Sequence, residues 1–365
     1  MVRSFLVSAV VALGITAGAL AEDWPLFRGN PQQTGTGGPL PDKLEVLWKF
    51  QTQDAIEGGA AIVDATVYVG SLDGHLYALT LADGKEKWKY KATGGIKAAP
   101  AVLDGRVFVG DVEGVFHCVD AAKGTKVWSF TTGAEIISSA NFAGDRVLFG
   151  SYDEHLYCLD AKTGNVVWKL KTEGPINGTP AVAEGKAFVA GCDATLRVVD
   201  LAKGQELASV PLGAQSGASA AVAGDLLFVG NMDKTVLGLD WKKAKVVWEY
   251  EHPERSFPFY SSAAVAQNLV VIGGRDKMVH ALDAKTGELK WAFTTRGRVD
   301  SSPVIVGHRV FVGSADGNLY ALDLTKGTKL WDHPLGSPVI ASPAVARNRL
   351  VIGTQDGAVY CLGAQ

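Results

Sequence analysis

Residues 302–331 have the sequence SPVIVGHRVFVGSADGNLYALDLTKGTKLW, in which turn residues separate four short segments rich in β-branched and aromatic side chains. A second copy, PAVLDGRVFVGDVEGVFHCVDAAKGTKVW, occupies residues 100–128. The segments are too short for helices and show no 3.6-residue periodicity. They therefore predict four β-strands, which we call A, B, C and D in chain order, with the tryptophan on strand D.

Tryptophan marks this repeat along the chain, at Trp48, Trp88, Trp128, Trp168, Trp248, Trp291 and Trp331. The spacing is 40 residues, except for one interval of 80 that contains Ala208 and one interval of 43. A four-stranded unit of about 40–45 residues is typical of a propeller blade. Strands A to C of an eighth blade fall in residues 343–362, and residues 45–50 supply its strand D. The sequence thus predicts an all-β, eight-bladed propeller over residues 45–365, closed by strands from both termini in one blade.

Two residue columns recur in the turns. The turn between strands B and C carries an acidic residue in every repeat: Asp73, Glu113, Asp153, Asp193, Asp233, Asp276, Asp316 and Asp356. Metal binding is one interpretation, but capping of the turn's own backbone N–H groups is favoured. The turn between strands C and D carries Gly84, Gly124, Gly164, Gly204, Gly287 and Gly327, with Ala244 as the exception. Glycine there supplies a positive φ.

The N-terminal residues predict export. Arg3, an apolar run and Ala19-Leu20-Ala21 make residues 1–21 a signal peptide, with the mature chain starting at Glu22. The apolar run is too short for an uncleaved membrane anchor. No cysteine follows it, which argues against a lipoprotein, so we expect a soluble periplasmic or secreted protein. Residues 22–44 are rich in Pro and Gly and predict an extended arm that Trp24 and Phe27 pin to the ring.

Composition narrows the function. The chain has 365 residues and a formal charge of −3, which does not suit a dedicated nucleic-acid binder. Beyond the signal peptide no apolar run is long enough for a transmembrane segment, and we expect a monomeric ring.

Cys118, Cys158 and Cys361 share one apolar slot of strand C, which predicts buried thiols rather than disulfides. The histidines lack zinc-ligand spacing, and no catalytic residue or metal site is predicted.

The segment from strand C to the tryptophan resembles the A-x-D-x-x-T-G-K-x-x-W motif of the PQQ-repeat, quinoprotein-dehydrogenase-like propeller family. It stands here as ALDAKTGELKW at 281–291, CLDAKTGNVVW at 158–168 and ALDLTKGTKLW at 321–331. Ala208 and Ala244 depart from it. The chain lacks the adjacent cysteine pair and the long inserts of quinoprotein dehydrogenases, so it is more similar to the plain, BamB-like members. This resemblance implies a scaffold that binds the machinery of outer-membrane protein assembly.

Counting three residues back from each strand A gives a column that we expect at the channel mouth: Glu57, Lys97, Ile137, Asn177, Gly217, Tyr260, Asp300 and Ile340. Its polar members Glu57, Lys97, Asn177 and Asp300 are candidate binding residues. Solvated side chains that bind nothing are the favoured alternative.

The 43-residue interval falls in EHPERSFPFYSS, residues 251–262. Exposed aromatic residues beside arginine are typical of protein interfaces. The candidate partner-binding residues are Arg255, Phe257, Phe259, Tyr260, Arg275, Arg296 and Arg298. The alternative for the rings is that they plug the channel or pack on a neighbouring blade. The alternative for the arginines, which is slightly favoured, is a solvated face that binds nothing.

These patterns favour a non-catalytic, exported scaffold that binds a protein or peptide in the cell envelope, without a cofactor. Two hypotheses stay open. One is a small quinoprotein oxidoreductase using PQQ and calcium, with Glu57, Asn177 and Asp300 as the only plausible ligands. The other is a propeller that binds a sugar or another small molecule in its channel.

Overall fold

The computed structural model describes residues 23–365, so the predicted signal peptide lies outside the described residues. The described residues form eight four-stranded antiparallel sheets. Seven sheets are built from consecutive strands, and the eighth has the order β1-β32-β31-β30. The predicted eight-bladed, all-β propeller is confirmed, including its closure by strands from the two ends of the described chain.

The strands follow the predicted A to D pattern. Their bounds are β1 (Glu45–Gln51), β2 (Ala61–Val63), β3 (Thr66–Gly70), β4 (His75–Thr80), β5 (Glu86–Lys91), β6 (Ala101–Leu103), β7 (Arg106–Gly110), β8 (Val115–Asp120), β9 (Lys126–Thr131), β10 (Asn141–Ala143), β11 (Arg146–Gly150), β12 (His155–Asp160), β13 (Val166–Lys171), β14 (Ala181–Ala183), β15 (Lys186–Ala190), β16 (Thr195–Asp200), β17 (Glu206–Pro211), β18 (Ala221–Ala223), β19 (Leu226–Gly230), β20 (Thr235–Asp240), β21 (Lys245–Glu251), β22 (Ala264–Ala266), β23 (Leu269–Gly273), β24 (Met278–Asp283), β25 (Leu289–Thr294), β26 (Val304–Val306), β27 (Arg309–Gly313), β28 (Asn318–Asp323), β29 (Lys329–Pro334), β30 (Ala344–Ala346), β31 (Arg349–Gly353) and β32 (Ala358–Gly363). Blade 1 comprises β2 to β5, and the following blades take four strands each, up to blade 8, which comprises β30 to β32 and β1.

Strands A of neighbouring blades lie side by side around the axis. Strands B and C are buried on both faces, as in Val107–Val109 and Phe116–Val119, because each blade packs between two others. Strands D form the outer rim and alternate between exposed and covered residues. Cys118, Cys158 and Cys361 are buried free thiols, as predicted, and burial raises the pKa of each to about 12.

Within residues 23–365, a tryptophan on strand D bonds to the next blade at six of the eight seams. The indole Nε1–H of Trp168 donates to the carbonyl of Leu201 at 2.9 Å, in the turn between strands C and D of the next blade. Equivalent bonds of 2.8–3.3 Å start from Trp48, Trp88, Trp128, Trp248 and Trp291. The indole also covers the glycine of that turn, as Trp168 covers Gly204. Side-chain burial and a hydrogen bond therefore hold neighbouring blades together at their outer edges.

The acidic column caps its turns in most blades. Asp153 accepts the backbone N–H of His155 at 3.2 Å, the N–H of Gly133 in the preceding blade at 2.9 Å, and the hydroxyl of Tyr157 at 2.7 Å. Burial alone would raise the pKa of Asp153, but these donors outweigh it and hold the pKa below its usual value. Capping, the favoured interpretation, is thus the role that Asp153 takes.

The column prediction is wrong in three blades. In blade 8, Asp356 accepts the hydroxyl of Thr354 and no backbone N–H of residues 23–365. In the other two blades, the capping residue stands two positions earlier. In blade 2 the cap is Asp111, which accepts the N–H of Val115 and bonds to Nε2 of His117 at 2.9 Å. In blade 5 the cap is Asn231, which accepts the N–H groups of Lys234 and Thr235.

Residues 23–44 run along the inner strands A of successive blades. Main-chain carbonyls of this arm accept N–H bonds of 2.7–2.9 Å from the strand A residues Ile62, Val102, Val182, Val222, Val265 and Ile305. Trp24 and Leu26 are buried between blades, and Arg309 donates to the carbonyls of Leu40 and Pro41. The arm is therefore part of the fold, since its carbonyls accept hydrogen bonds from the inner-edge strands of six sheets.

Candidate functional site

The channel contains a cavity of about 370 Å³ on the side where strands D lead into strands A. All eight residues of the counted column line it: Glu57, Lys97, Ile137, Asn177, Gly217, Tyr260, Asp300 and Ile340. The repeat explains this convergence, because equivalent positions in a closed ring face one axis. Whether the four polar members bind anything stays a prediction.

A second ring of small hydroxyl side chains lines the same cavity. The hydroxyl oxygen of Ser262 accepts the backbone N–H of Ser219 in the preceding blade at 2.9 Å. The same bond, at 2.8–3.0 Å, is made to Ser139, Ser219, Ser302 and Ser342. These bonds fix the seam between blades and hold each oxygen at the cavity wall.

The arm supplies the far end of the cavity. Phe27 lines it, while the neighbouring Arg28 is buried beneath, with its guanidinium carbon 5.9 Å from the Phe27 ring centroid. Nη2 of Arg28 donates to the carbonyl of Ala263 at 3.0 Å. Burial lowers the pKa of Arg28 to about 9. Of the two predicted pins, Trp24 is buried in the ring, whereas Phe27 is half-buried and faces the cavity.

One wall carries Tyr152, Asn177 and Tyr260 around Gly217. Tyr152 comes from the turn between strands B and C of blade 3, and the other two precede strands A of blades 4 and 6. Oδ1 of Asn177 is buried and has no hydrogen-bond partner among residues 23–365. Burial raises the pKa of Tyr152, so the phenol is neutral at physiological pH. This wall presents two aromatic surfaces, and the amide of Asn177 lies between them.

Asp300 is held by two arginines. Arg275 donates from Nε and Nη2 to both carboxylate oxygens, at 2.9 and 3.0 Å, and Arg298 donates to Oδ2 at 2.9 Å. The bond to Asp300 raises the pKa of Arg275. The guanidinium of Arg275 also lies 3.6 Å from the ring centroid of Tyr260. The cluster therefore fixes Tyr260 at the cavity wall and neutralises the charge of Asp300.

The three predicted aromatic anchors in loop 252–262 differ in how far they are buried. Phe257 is 49% exposed. Phe259 is 2% exposed and packs edge-on against the ring of His280 at 5.3 Å, so it is a core residue and not a partner contact. The alternative interpretation, in which the ring packs on a blade, is therefore confirmed for Phe259. Tyr260 is half-buried at the cavity.

The predicted arginines also differ in accessibility. Arg296 and Arg298 are exposed. Arg255 donates to the carbonyl of Asp276 at 2.9 Å, and Arg275 is half-buried in the Asp300 cluster. Arg255 and Arg275 thus hold loops in place. Arg298 is exposed but bound to Asp300, and Arg296 is exposed.

Several lining residues escaped the sequence reasoning. Tyr152 lies outside the counted column, and Phe27 reaches the axis through the arm, whose path no repeat encodes. The serine ring had a signal, the recurring small polar residue just before strand A, but it resembled ordinary turn chemistry.

The candidate ligands for calcium and PQQ do not fit that role. Glu57, Asn177 and Asp300 belong to the loops before blades 1, 4 and 7, so they surround the cavity instead of meeting on one wall. Both oxygens of Asp300 already accept guanidinium bonds. Within residues 23–365, no group of three or more His, Cys, Asp or Glu side chains is placed to hold a metal ion.

The sequence of the blade repeats matches a known family. The family model described as outer membrane protein assembly factor BamB matches residues 42–141, 112–257 and 255–365. The chain belongs to this family. No curated protein matches it significantly. In the part of the chain that is described, no helix has the length and apolar character needed to cross a membrane.

Solved structures share the fold at low identity. BamB from Moraxella catarrhalis is 19% identical, with a TM-score of 0.76, and the match covers 88% of this chain and 98% of that one. Quinohemoprotein alcohol dehydrogenase from Comamonas testosteroni is 15% identical, with a TM-score of 0.81 and coverage of 95% and 81%. The computationally designed Ika8 protein is 20% identical, with a TM-score of 0.77 and coverage of 88% and 100%. At these identities the likeness establishes the propeller fold and not an activity.

Proposed function

We propose that the protein is a non-catalytic scaffold that binds a protein or peptide partner on the face carrying loop 252–262. Phe257 carries this proposal. Of the strongly exposed large apolar residues among 23–365, the others, Val127, Val166, Val167, Leu207, Val247 and Leu330, lie on outer strands D. Phe257 alone of them lies in a loop, and it extends from a face with exposed arginines.

The charge around Phe257 favours an acidic partner. Arg296 and Arg298 are exposed, and the carboxylate of Asp300 is bound by two arginines, Arg275 and Arg298, which leaves a positive charge in that cluster. Exposed arginine beside an aromatic anchor is typical of protein-binding surfaces, because Arg forms paired hydrogen bonds with carboxylates. The partner segment would therefore contain an apolar residue for Phe257 and Asp or Glu for the arginines.

We place the scaffold in the cell envelope, working as a monomeric ring without PQQ. The predicted signal peptide supports export, and the family description supports a role in outer-membrane protein assembly. The occupied oxygens of Asp300 and the separation of Glu57, Asn177 and Asp300 speak against a calcium-bound quinone.

The test is site-specific photo-crosslinking in the native host. A benzophenone amino acid replaces Phe257 in one variant and Val127 in the other, because both positions are similarly exposed, at 49% and 43%, on different surfaces. We expect a discrete crosslinked partner from position 257, identified by mass spectrometry, and none in common from position 127. For the purified pair, Phe257→Ala should weaken binding by about 2 kcal/mol, the loss typical of an interface hot spot.

The expected partner is an envelope protein, and in the BamB-like case an outer-membrane assembly component. Identical crosslinks from both positions, or normal binding by Phe257→Ala and Arg298→Glu, would exclude this face as the interface. Circular dichroism of both variants should show intact blades, since neither side chain is buried in the core.

A further inference from the structure

We propose that the axial cavity is a binding site for a neutral saccharide of one or two rings. This goes beyond the scaffold function, because the site lies inside the ring. Tyr260 and Ser262 of loop 252–262 line it, whereas the partner surface rests on the exposed Phe257. A volume of about 370 Å³ lies in the range of ligand sites, which is roughly 300–1,000 Å³. Phe27 of the arm lines this cavity, which we call the cup.

Hydrogen-bond donors converge on this cup. Ser139, Ser219, Ser262, Ser302 and Ser342 each accept a backbone N–H from the neighbouring blade, which occupies a lone pair of the hydroxyl oxygen. Among residues 23–365, none of these five hydroxyls donates to a protein atom, so each can donate its hydrogen to a ligand. A ligand with several oxygen acceptors is needed to accept hydrogen bonds from these serine hydroxyls.

The cup also requires a ligand that donates hydrogen bonds. The buried Oδ1 of Asn177 has no partner in the described chain, and a buried acceptor without a partner costs about 1–3 kcal/mol. Asn177 lines the cavity, and rotation of its amide toward the cup would let a ligand hydroxyl satisfy this oxygen. Sugar hydroxyls both donate and accept, so one functional group satisfies the serine ring and Asn177 together.

Aromatic surfaces and charge balance point to the same class. Phe27, Tyr152 and Tyr260 face the cavity, and an aromatic ring is a good surface for the C–H groups on the face of a sugar. The charged lining residues are Glu57, Lys97 and Asp300, and Asp300 is paired with both Arg275 and Arg298. The lining is therefore close to neutral, which disfavours polyanions and suits an uncharged polyhydroxylated ligand.

The experiment is ligand-observed NMR and calorimetry on the mature protein. The panel contains glucose, galactose, mannose, N-acetylglucosamine, cellobiose and trehalose, each tested up to about 10 mM, which detects even weak complexes. Glucuronate and PQQ with calcium serve as anionic probes. We expect at least one neutral sugar to bind with one-to-one stoichiometry.

Two variants test the site. Gly217→Leu places a side chain in the cup without backbone strain, because Gly217 does not have a positive φ. The atom nearest the added Cβ is Cε of Met232, at 2.8 Å, and it can move because it is the end of a flexible side chain. The substitution should abolish binding. Asn177→Ala should weaken binding by about tenfold, as expected for one lost hydrogen bond in a buried site. Gln205→Ala is the matched control, because it removes an exposed amide from a turn at the outer edge of blade 4.

Absence of binding by every neutral sugar would overturn the proposal, as would binding that survives Gly217→Leu. Preferential binding of glucuronate or PQQ would overturn the assignment of a neutral ligand. Crosslinking at position 257 is independent of these results, so failure of the saccharide site and failure of the scaffold proposal are distinguishable.

Discussion

At the residue scale, three departures from the repeat compensate for one another. Blade 4 has Ala208 where other blades have the inter-blade tryptophan, and Trp241 fills the space from blade 5. Trp241 packs edge-on against Phe188 at 5.1 Å and donates from Nε1 to the carbonyl of Gly224 at 2.9 Å. Because no strand D tryptophan covers the next turn, Ala244 fits where the other turns have glycine. The seam is thus stabilised by an indole that comes from the opposite side.

This explanation yields a prediction for Gly204, whose position combines two constraints. Its φ is +67°, and an added Cβ would lie 2.4 Å from Cδ2 of Trp168. Gly185, in the same blade, has a φ of +70° and an open space around the Cβ position. Gly185→Ala should therefore lower the free energy of unfolding by about 1 kcal/mol, for the backbone alone. Gly204→Ala should lower it by about 3 kcal/mol, because the indole must also move.

Denaturant unfolding of both variants measures the difference. Equal losses would mean that backbone conformation alone selects glycine in these turns, and that the tryptophan contact is incidental.

At the scale of elements, the arm is the piece that the repeat does not describe. Trp24 is buried and forms a bridge with Ile62, whereas Phe27 is half-buried and faces the cavity. Trp24→Ala should destabilise the protein by about 3–5 kcal/mol, the usual loss for a buried tryptophan. Phe27→Ala should have a clearly smaller effect, because less of its surface is buried on folding.

Thermal and denaturant unfolding of this pair checks the role of the arm. A small effect of Trp24→Ala would show that the carbonyl bonds to strands A hold the arm without the indole. In that case the arm would be a peripheral strap and not part of the core.

The elements also show what sequence reasoning can and cannot reach. Strand positions and the column from Glu57 to Ile340 followed from counting, because a repeat converts equal spacing into equal position on the ring. Side-chain direction within an irregular loop did not follow: Phe257 and Phe259 are two residues apart, yet only Phe259 enters the core. The capping residues Asp111 and Asn231 were missed because a neighbouring acidic residue occupied the expected column.

At the scale of the whole molecule, one strand pair keeps the ring closed. Lys49 of β1 pairs with Tyr360 of β32, and Nζ of Lys49 lies 5.2 Å from the Tyr360 ring centroid. Nearly the whole chain lies between these two residues. In the unfolded state their encounter is entropically unfavourable, so closure depends on the packing and hydrogen bonds of blade 8.

A disulfide across this pair should therefore stabilise the ring more than the same crosslink within a blade. Tyr157 and Lys169 provide the matched control, since they pair in the same place between strands C and D of blade 3 but are close in sequence. We expect oxidation of the Lys49→Cys, Tyr360→Cys variant to raise the free energy of unfolding by about 3 kcal/mol more than oxidation of the Tyr157→Cys, Lys169→Cys variant. Each variant is compared with its own reduced form, so the cost of the substitutions cancels. Equal gains would mean that the unfolded chain already keeps its ends near each other, and that ring closure adds little to the barrier against opening.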